Sequence, residues 1–268
     1  MLDASPSSAR DLISRAWADR QILYVLSRKE FFVRYRRASL GLAWGVGLPL
    51  IQALVLAVLF QRVSSFRSGH SYIGGVMLGM VVVSYVVPTA TVAVGGIIDN
   101  TALSSRIYFP RALLALVPML ANIVSLMTTA VVAVVVAVSS GAHPSARALL
   151  LAPALLATMI FTALLSLLLA GGQVYFRDIR YIIQAISTVA IYVTPVVYPL
   201  TVLSGTVRTF VIWANPMVGL VEIMKASIGD QDQWWRSSLI ATLVWSVVIG
   251  VTAVELHRRR DRVFADLL

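Results

Sequence analysis

The chain has no cysteine, and among its 268 residues only two are lysine and three are histidine. Each shortage removes a class of chemistry. Without cysteine there are neither disulfides nor thiolate metal sites. A P-loop needs a glycine-rich turn followed by Lys and then Ser or Thr. Lys29 follows Arg28 and Lys225 follows Met224, so the chain holds no such loop and is not expected to hydrolyse ATP by itself. His70, His143 and His257 stand at the ends of three different apolar stretches, none at metal-ligand spacing. Charge is scarce as well. Charged residues make up 13% of the chain, against about 25% in a soluble domain.

What replaces charge is apolar surface. Hydrophobic residues are 59% of the sequence and the mean hydropathy is +0.85, which calls for lipid as solvent. Six stretches are long enough to cross a bilayer, at roughly 40–60, 72–95, 112–138, 148–173, 181–202 and 237–255. None has a charge near its centre, where Arg or Asp costs ~2.5–3.5 kcal/mol on insertion scales. The expectation is an all-α polytopic membrane protein. No apolar core of a signal peptide fits in the first 38 residues, which carry Arg10, Arg15, Arg20, Arg28, Lys29, Arg34, Arg36 and Arg37.

The net charge of +10 comes from 22 basic and 12 acidic residues. With the N-terminus inside, sixteen of the 22 basic residues fall on inner segments, so both termini are expected in the cytoplasm. That distribution accounts for the basic balance without a nucleic-acid partner. Apart from the two lysines, every basic residue other than histidine is arginine, which together with the Ala and Val load points to a GC-rich coding sequence.

Three segments do not span. In 10–37, Leu12, Ile13, Trp17, Leu23, Leu26, Phe31 and Phe32 interleave with basic residues, the pattern of amphipathic helices in the cytoplasmic headgroup layer. The plain alternative is a basic stop before the first span. In 96–111, Asp99 or Asn100 can cap a short helix that Pro110 ends; the segment is either a loop or a helix presented to a soluble partner. The stretch 203–236 divides at Asn215-Pro216 into pieces too short to cross, which fits a re-entrant helical hairpin buried in protein. Asp230 and Asp232 mark its return to water, and Trp234 and Trp235 the interface.

Span five ends in Thr194-Pro195-Val196-Val197-Tyr198-Pro199, where two prolines remove donors and break the helix. This is either a gate at the outer end or a simple terminus. Phe60, Tyr72 and Tyr198 read as interfacial belt residues, whereas Trp44, Tyr85 and Tyr192 lie deeper and can stack on sugar rings. Gly41–Gly45 and Gly75–Gly79 have the spacing of close helix packing. The spans lack the mid-depth ionisable residues on which ion-coupled carriers rely. Ser64, Ser65, Ser104 and Ser105 have no base partner in sequence view, which leaves a membrane-embedded lipid-processing enzyme as a remote alternative.

Five motifs stand in a familiar order. Arg34-Tyr35-Arg36-Arg37-Ala38-Ser39-Leu40-Gly41-Leu42-Ala43-Trp44 precedes and enters the first span. Ile107-Tyr108-Phe109-Pro110-Arg111 precedes the third, and Phe176-Arg177-Asp178-Ile179 follows the fourth. Thr194-Pro195-Val196-Val197-Tyr198-Pro199 and Asn215-Pro216-Met217 complete the set. Together they resemble ABC-2 type permeases of the polysaccharide-export branch over nearly the whole chain.

The resemblance implies a six-helix permease that exports a polyprenyl-diphosphate-linked glycan (O-antigen, teichoic acid or cell-wall galactan, with the GC-rich look leaning to galactan) across a bacterial inner membrane. It implies a homodimer paired with two copies of a separate ATPase, which would bind the ATP and magnesium; this chain would carry no cofactor. Residues 1–38 would form the amphipathic N-terminal part and 39–268 the transmembrane domain. A coupling helix at about 96–109 would place Asp99, Asn100, Ser104, Ser105 and Arg106 against the ATPase. Trp44, Tyr85, Tyr192 and Tyr198 would line the channel. Arg34, Arg36 and Arg37 would meet the lipid diphosphate or membrane headgroups. Pro195, Pro199, Asn215 and Pro216 would belong to an outer gate within about 203–230. A drug or small-lipid exporter of the same family is the alternative.

Overall fold

The computed structural model describes residues 18–35, 41, 43–63, 72–100, 111–142, 145–229 and 233–260. Among the described residues all regular structure is helical. The α-helices are α1 (Arg20–Tyr35), α2 (Ala43–Val63), α3 (Tyr72–Ala93), α4 (Val117–Ala121), α5 (Ile123–Ser139), α6 (Leu151–Tyr175), α7 (Ile179–Val193), α8 (Gly205–Ala214), α9 (Val218–Ala226) and α10 (Trp235–Arg260). Short 3-10 turns lead into α4 at Arg111–Leu116 and into α6 at Ala146–Leu150.

Four runs are long and apolar enough to cross a membrane: Tyr72–Ala93, Ala112–Ser139, Ala146–Tyr175 and Trp235–His257. Two shorter apolar helices, Ala43–Leu59 and Ile179–Val193, accompany them. The stretch expected to run over 181–202 is helical only to Val193. Pro195 has no N–H and pushes the residue before it out of the helical region; Thr194 accordingly sits at φ −83° and ψ 131°. Where a re-entrant hairpin is expected, two helices, α8 and α9, are bent by 101° at Asn215-Pro216, the geometry of either a broken span or a re-entrant loop; this bent pair is hereafter the hairpin.

α3 is the central helix. Most of its residues are buried, and α2, α5, α6, α7 and α9 all pack on it. Its small residues allow this crowding, since lipid tails offer no hydrophobic drive between helices and close fit must supply the attraction. α6 presents Thr158, Thr162 and Ser166 at four-residue spacing as a buried face. The first two satisfy their hydroxyls on their own helix, Thr158 donating to the Ala154 carbonyl (2.8 Å) and Thr162 to the Thr158 carbonyl (2.7 Å). Pro49 in α2 deprives the Gly45 carbonyl of its i+4 donor, and Ser125 of α5 donates to that carbonyl at 3.4 Å. The break between α4 and α5 falls at buried Asn122, whose amide donates to Thr89 Oγ1 of α3 (2.8 Å).

Candidate functional site

Three features stand out in this helical core: a cavity at the α1 end, a groove beside α7, and the bent hairpin. The cavity at the α1 end has a volume of about 410 Å³ and is lined by Leu26, Lys29, Glu30, Val33, Gly95, Gly96, Asp99, Asn100 and Pro118, among others. Asp99 lies in a single 3-10 turn, Ile98–Asn100. Its carboxylate accepts two hydrogen bonds from Arg180 Nη2, at 2.8 and 2.9 Å. Arg180 opens α7, and its backbone N–H donates to Gln173 Oε1 (2.9 Å), so the end of α6 aims it. Gly95 makes room for the pair: a Cβ there would stand 2.1 Å from Asp99 Oδ2 and 2.6 Å from Arg180 Nη2. Asn100 turns its amide back onto the Gly96 carbonyl (2.9 Å). Of the five residues expected to face an ATPase, only Asp99 and Asn100 can be placed; Ser104, Ser105 and Arg106 lie outside the described residues.

Arg34 is a partly buried side chain committed within the protein. It donates to Asn122 Oδ1 and pairs with Glu30 at 3.4 Å. Thus α1 is tied through Asn122 to Thr89 of α3. Arg36 and Arg37, named with Arg34 for a phosphate or headgroup role, lie outside the described residues.

The groove runs between α2, α3 and α7, with a volume of about 500 Å³. Gln52, Ser84, Ser187, Thr188 and Tyr192 give it polar atoms, while Ile51, Val55, Met80, Val83 and Ile191 supply apolar wall. Among the described residues, no charged side chain lines it. Ser187 and Thr91 share a hydrogen bond of 3.0 Å beside it. Tyr192 is 62% exposed and Trp44 43% exposed, so both rings are open to a visitor, and Tyr192 is on the groove. Tyr85 corrects the expectation of a channel role. It is 3% exposed, and its hydroxyl donates to the Met119 carbonyl (3.1 Å); its position on the central helix turns it into the core. Tyr198 donates to the Val193 carbonyl (3.1 Å), closing the end of α7.

At the hairpin end, three of the four expected gate residues, Pro195, Asn215 and Pro216, make polar contacts with neighbouring segments. Asn215 Nδ2 donates to Thr194 Oγ1 (2.9 Å), and Asn215 Oδ1 accepts from the Met217 N–H (3.0 Å). The Pro195 carbonyl accepts from Lys225 Nζ (2.5 Å). The Pro216 carbonyl accepts from Thr242 Oγ1 (2.7 Å). Pro199 stands in extended backbone ahead of the turn Leu200–Val202. α9 crosses α10 closely at Gly219, where a Cβ would lie 2.3 Å from the Ser238 carbonyl oxygen. α9 also buries an ion pair, Lys225 with Glu222 at 3.4 Å.

A family model described as ABC-2 type transporter matches residues 21–229, from α1 through the hairpin. The chain belongs to the ABC-2 type transporter family. With its several apolar helices, this ABC-2 protein is a multi-pass membrane protein of the kind that serves as the membrane subunit of a transporter. It is 25% identical over 256 residues to a protein of Myxococcus xanthus called O-antigen export system permease protein RfbA, covering 95% of this chain and 98% of that one. A Klebsiella pneumoniae protein of the same description is 23% identical over 250 residues, covering 92% and 95%.

Sequence reasoning on this ABC-2 chain missed Arg180, Asn122, Glu222 and Lys225. The last two carried a readable signal, an acid and a base three apart in a short apolar helix, the spacing at which helical neighbours meet. Lys225 was instead counted among the loop charges. Asn122 carried none, because only the fold brings Arg34 and Thr89 to it.

Proposed function

We propose that the chain is the permease subunit of an ABC exporter that moves a polyprenyl-diphosphate-linked polysaccharide, of O-antigen or cell-wall galactan type, outward across a bacterial inner membrane. The observation that carries this reading is the near full-length likeness to two O-antigen export permeases. The uncharged groove supports it: hydroxyl, amide and phenol groups exchange hydrogen bonds with sugar hydroxyls, and an exposed tyrosine ring gives a face on which a sugar can stack without being held. Trp44 extends the same path, and Tyr198 shapes its outer end.

In this reading six helical segments cross the membrane in each subunit, with 1–38 as the amphipathic cytoplasmic part and 39–268 as the transmembrane domain. Both termini are cytoplasmic. Two copies of the permease enclose the path, and two copies of a separate ATPase bind ATP and magnesium. The 96–109 segment, with Asp99 and Asn100 at its start, is the surface against which the ATPase works. Arg34, Arg36 and Arg37 stand at the rim where the lipid diphosphate arrives, Arg34 through its place beside Asn122. The hairpin at about 203–230 re-enters the membrane from outside, and Pro195, Pro199, Asn215 and Pro216 form its gate.

Depletion of the protein in its source organism tests the reading. Surface polysaccharide is expected to fall while lipid-linked glycan accumulates inside and drug tolerance stays unchanged. Unchanged surface polysaccharide with lost drug tolerance would overturn it in favour of a drug exporter.

A further inference from the structure

α7 is loosely enclosed for an apolar helix. Ala190 is its only buried residue, so interlocking side chains, which normally immobilise a helix, hold little of it. Polar contacts hold it instead, at its two ends and once in the middle. At the α1 end, Arg180 pairs with Asp99, and Gln173 takes the Arg180 N–H. In the middle, Ser187 meets Thr91. At the hairpin end, two donors converge on consecutive residues: Asn215 on Thr194 and Lys225 on Pro195.

The hairpin donors are themselves fixed. Asn215 spends its carbonyl oxygen on the Met217 N–H, which sets the direction of its amide. Lys225 is 7% exposed and Glu222 is 1% exposed, in a helix whose nine residues are all buried. Burying two charges costs several kcal/mol per ion and repays it only with good geometry, so such a pair is weak evidence for stability. Its position is more telling. The Pro195 carbonyl lies one residue past Thr194, the extended C-cap of α7, and a buried ammonium held by a carboxylate is a strong partner for it.

We propose that Lys225, held by Glu222, and Asn215 are positioning residues that clamp the outer end of α7 to the hairpin. α7 then acts as a strut. A displacement of the Asp99 turn reaches the hairpin through it, and the groove side chains of α7 move with both ends. This rests on the transporter reading above and adds the residues that transmit the movement.

The absence of native cysteine makes single-site labelling clean. Spin labels at Val189→Cys and Phe210→Cys, both exposed positions, report the distance between α7 and the hairpin by double electron–electron resonance. In the permease purified with its ATPase, with the doubly labelled chain diluted by an excess of unlabelled permease so that only the distance within one subunit is read, one narrow distance is expected, unchanged between the nucleotide-free and the vanadate-trapped states. In Glu222→Gln/Lys225→Met, which removes both charges and leaves neither orphaned, that distance should broaden. Export is then expected to fall by about tenfold while ATP hydrolysis holds within about twofold, the scale of a lost allosteric coupling. Lys225→Arg, which keeps the donor, should restore most of the export.

A distance that changes on trapping in the native background overturns the proposal, and this arm stands even where the double variant fails to fold. A double variant with native distance and native export overturns it too. If the native chain itself exports no glycan, the transporter reading fails on its own, and the distance comparison still decides the clamp.

Discussion

The Asp99–Arg180 pair joins its partners at 2.8 Å with side chains 58% and 39% exposed. Exposed pairs contribute only about 0.2–1 kcal/mol to stability, so its removal is expected to register in coupling. Asp99→Asn should leave the folded permease within about 1 kcal/mol of native stability in mixed micelles, yet lower export per ATP hydrolysed. Gly95→Ala should reproduce the defect, because the added methyl enters the space of both Asp99 and Arg180. Native export per ATP hydrolysed in both variants would remove the pair from the coupling path. Asn122 is the opposite case: buried, and bonded to Thr89 and Arg34 at once. Asn122→Leu takes its donor from fully buried Thr89 and leaves Arg34 with Glu30 alone, at ~1–3 kcal/mol for the buried hydroxyl. A destabilisation of about 2 kcal/mol or more is expected in denaturant titrations, with α1 released from the core and more readily cleaved by protease.

At the scale of elements, the sequence carried the helices well because lipid leaves them little choice: every backbone donor and acceptor in the bilayer must be met within the chain. The long apolar runs of α3, α5, α6 and α10 were legible for that reason, and the break between α8 and α9 was legible from one dipeptide, Asn215-Pro216. The end of α7 was less so, since 181–202 stays apolar past the residue where the proline stops it. The site was legible only in outline. Tyr192 on the groove, and the prolines that bound the bends, could be picked out by type. The packing that buries Tyr85 could not, because burial depends on which helix becomes central. Close crossings are likewise set between elements. α9 can approach α10 only because position 219 lacks a side chain, and a methyl there meets backbone that cannot rotate away. Gly219→Ala should therefore cost about 1–3 kcal/mol by overpacking, seen as a lower unfolding midpoint, whereas Gly205→Ala, with open space around it, should be neutral or slightly stabilising. Similar losses at both positions would show that the crossing is looser than its geometry.

For the whole molecule, the deciding quantity is which end faces the cytoplasm, because an ATPase reaches only that end. Asp99, Arg180, Lys29 and Glu30 gather at the α1 end, and Arg177 adjoins them in sequence. Ser140 and Ser204 lie in the connections at the other end, after α5 and before α8. An excess of arginine and lysine holds a segment on the inner side, so the α1 end should be cytoplasmic. Single cysteines at Ser140, Ser204 and Asp178 test this in a chain that offers no other thiol. In intact spheroplasts, a membrane-impermeant maleimide is expected to label Ser140→Cys and Ser204→Cys and to leave Asp178→Cys unlabelled until the membrane is opened. The reverse pattern would put the Asp99 turn outside, beyond the reach of ATP, and the coupling surface, the strut and the direction of export would fall together. The expected pattern would fix the groove as a path whose Asp99 end meets the energy source and whose hairpin end meets the outside.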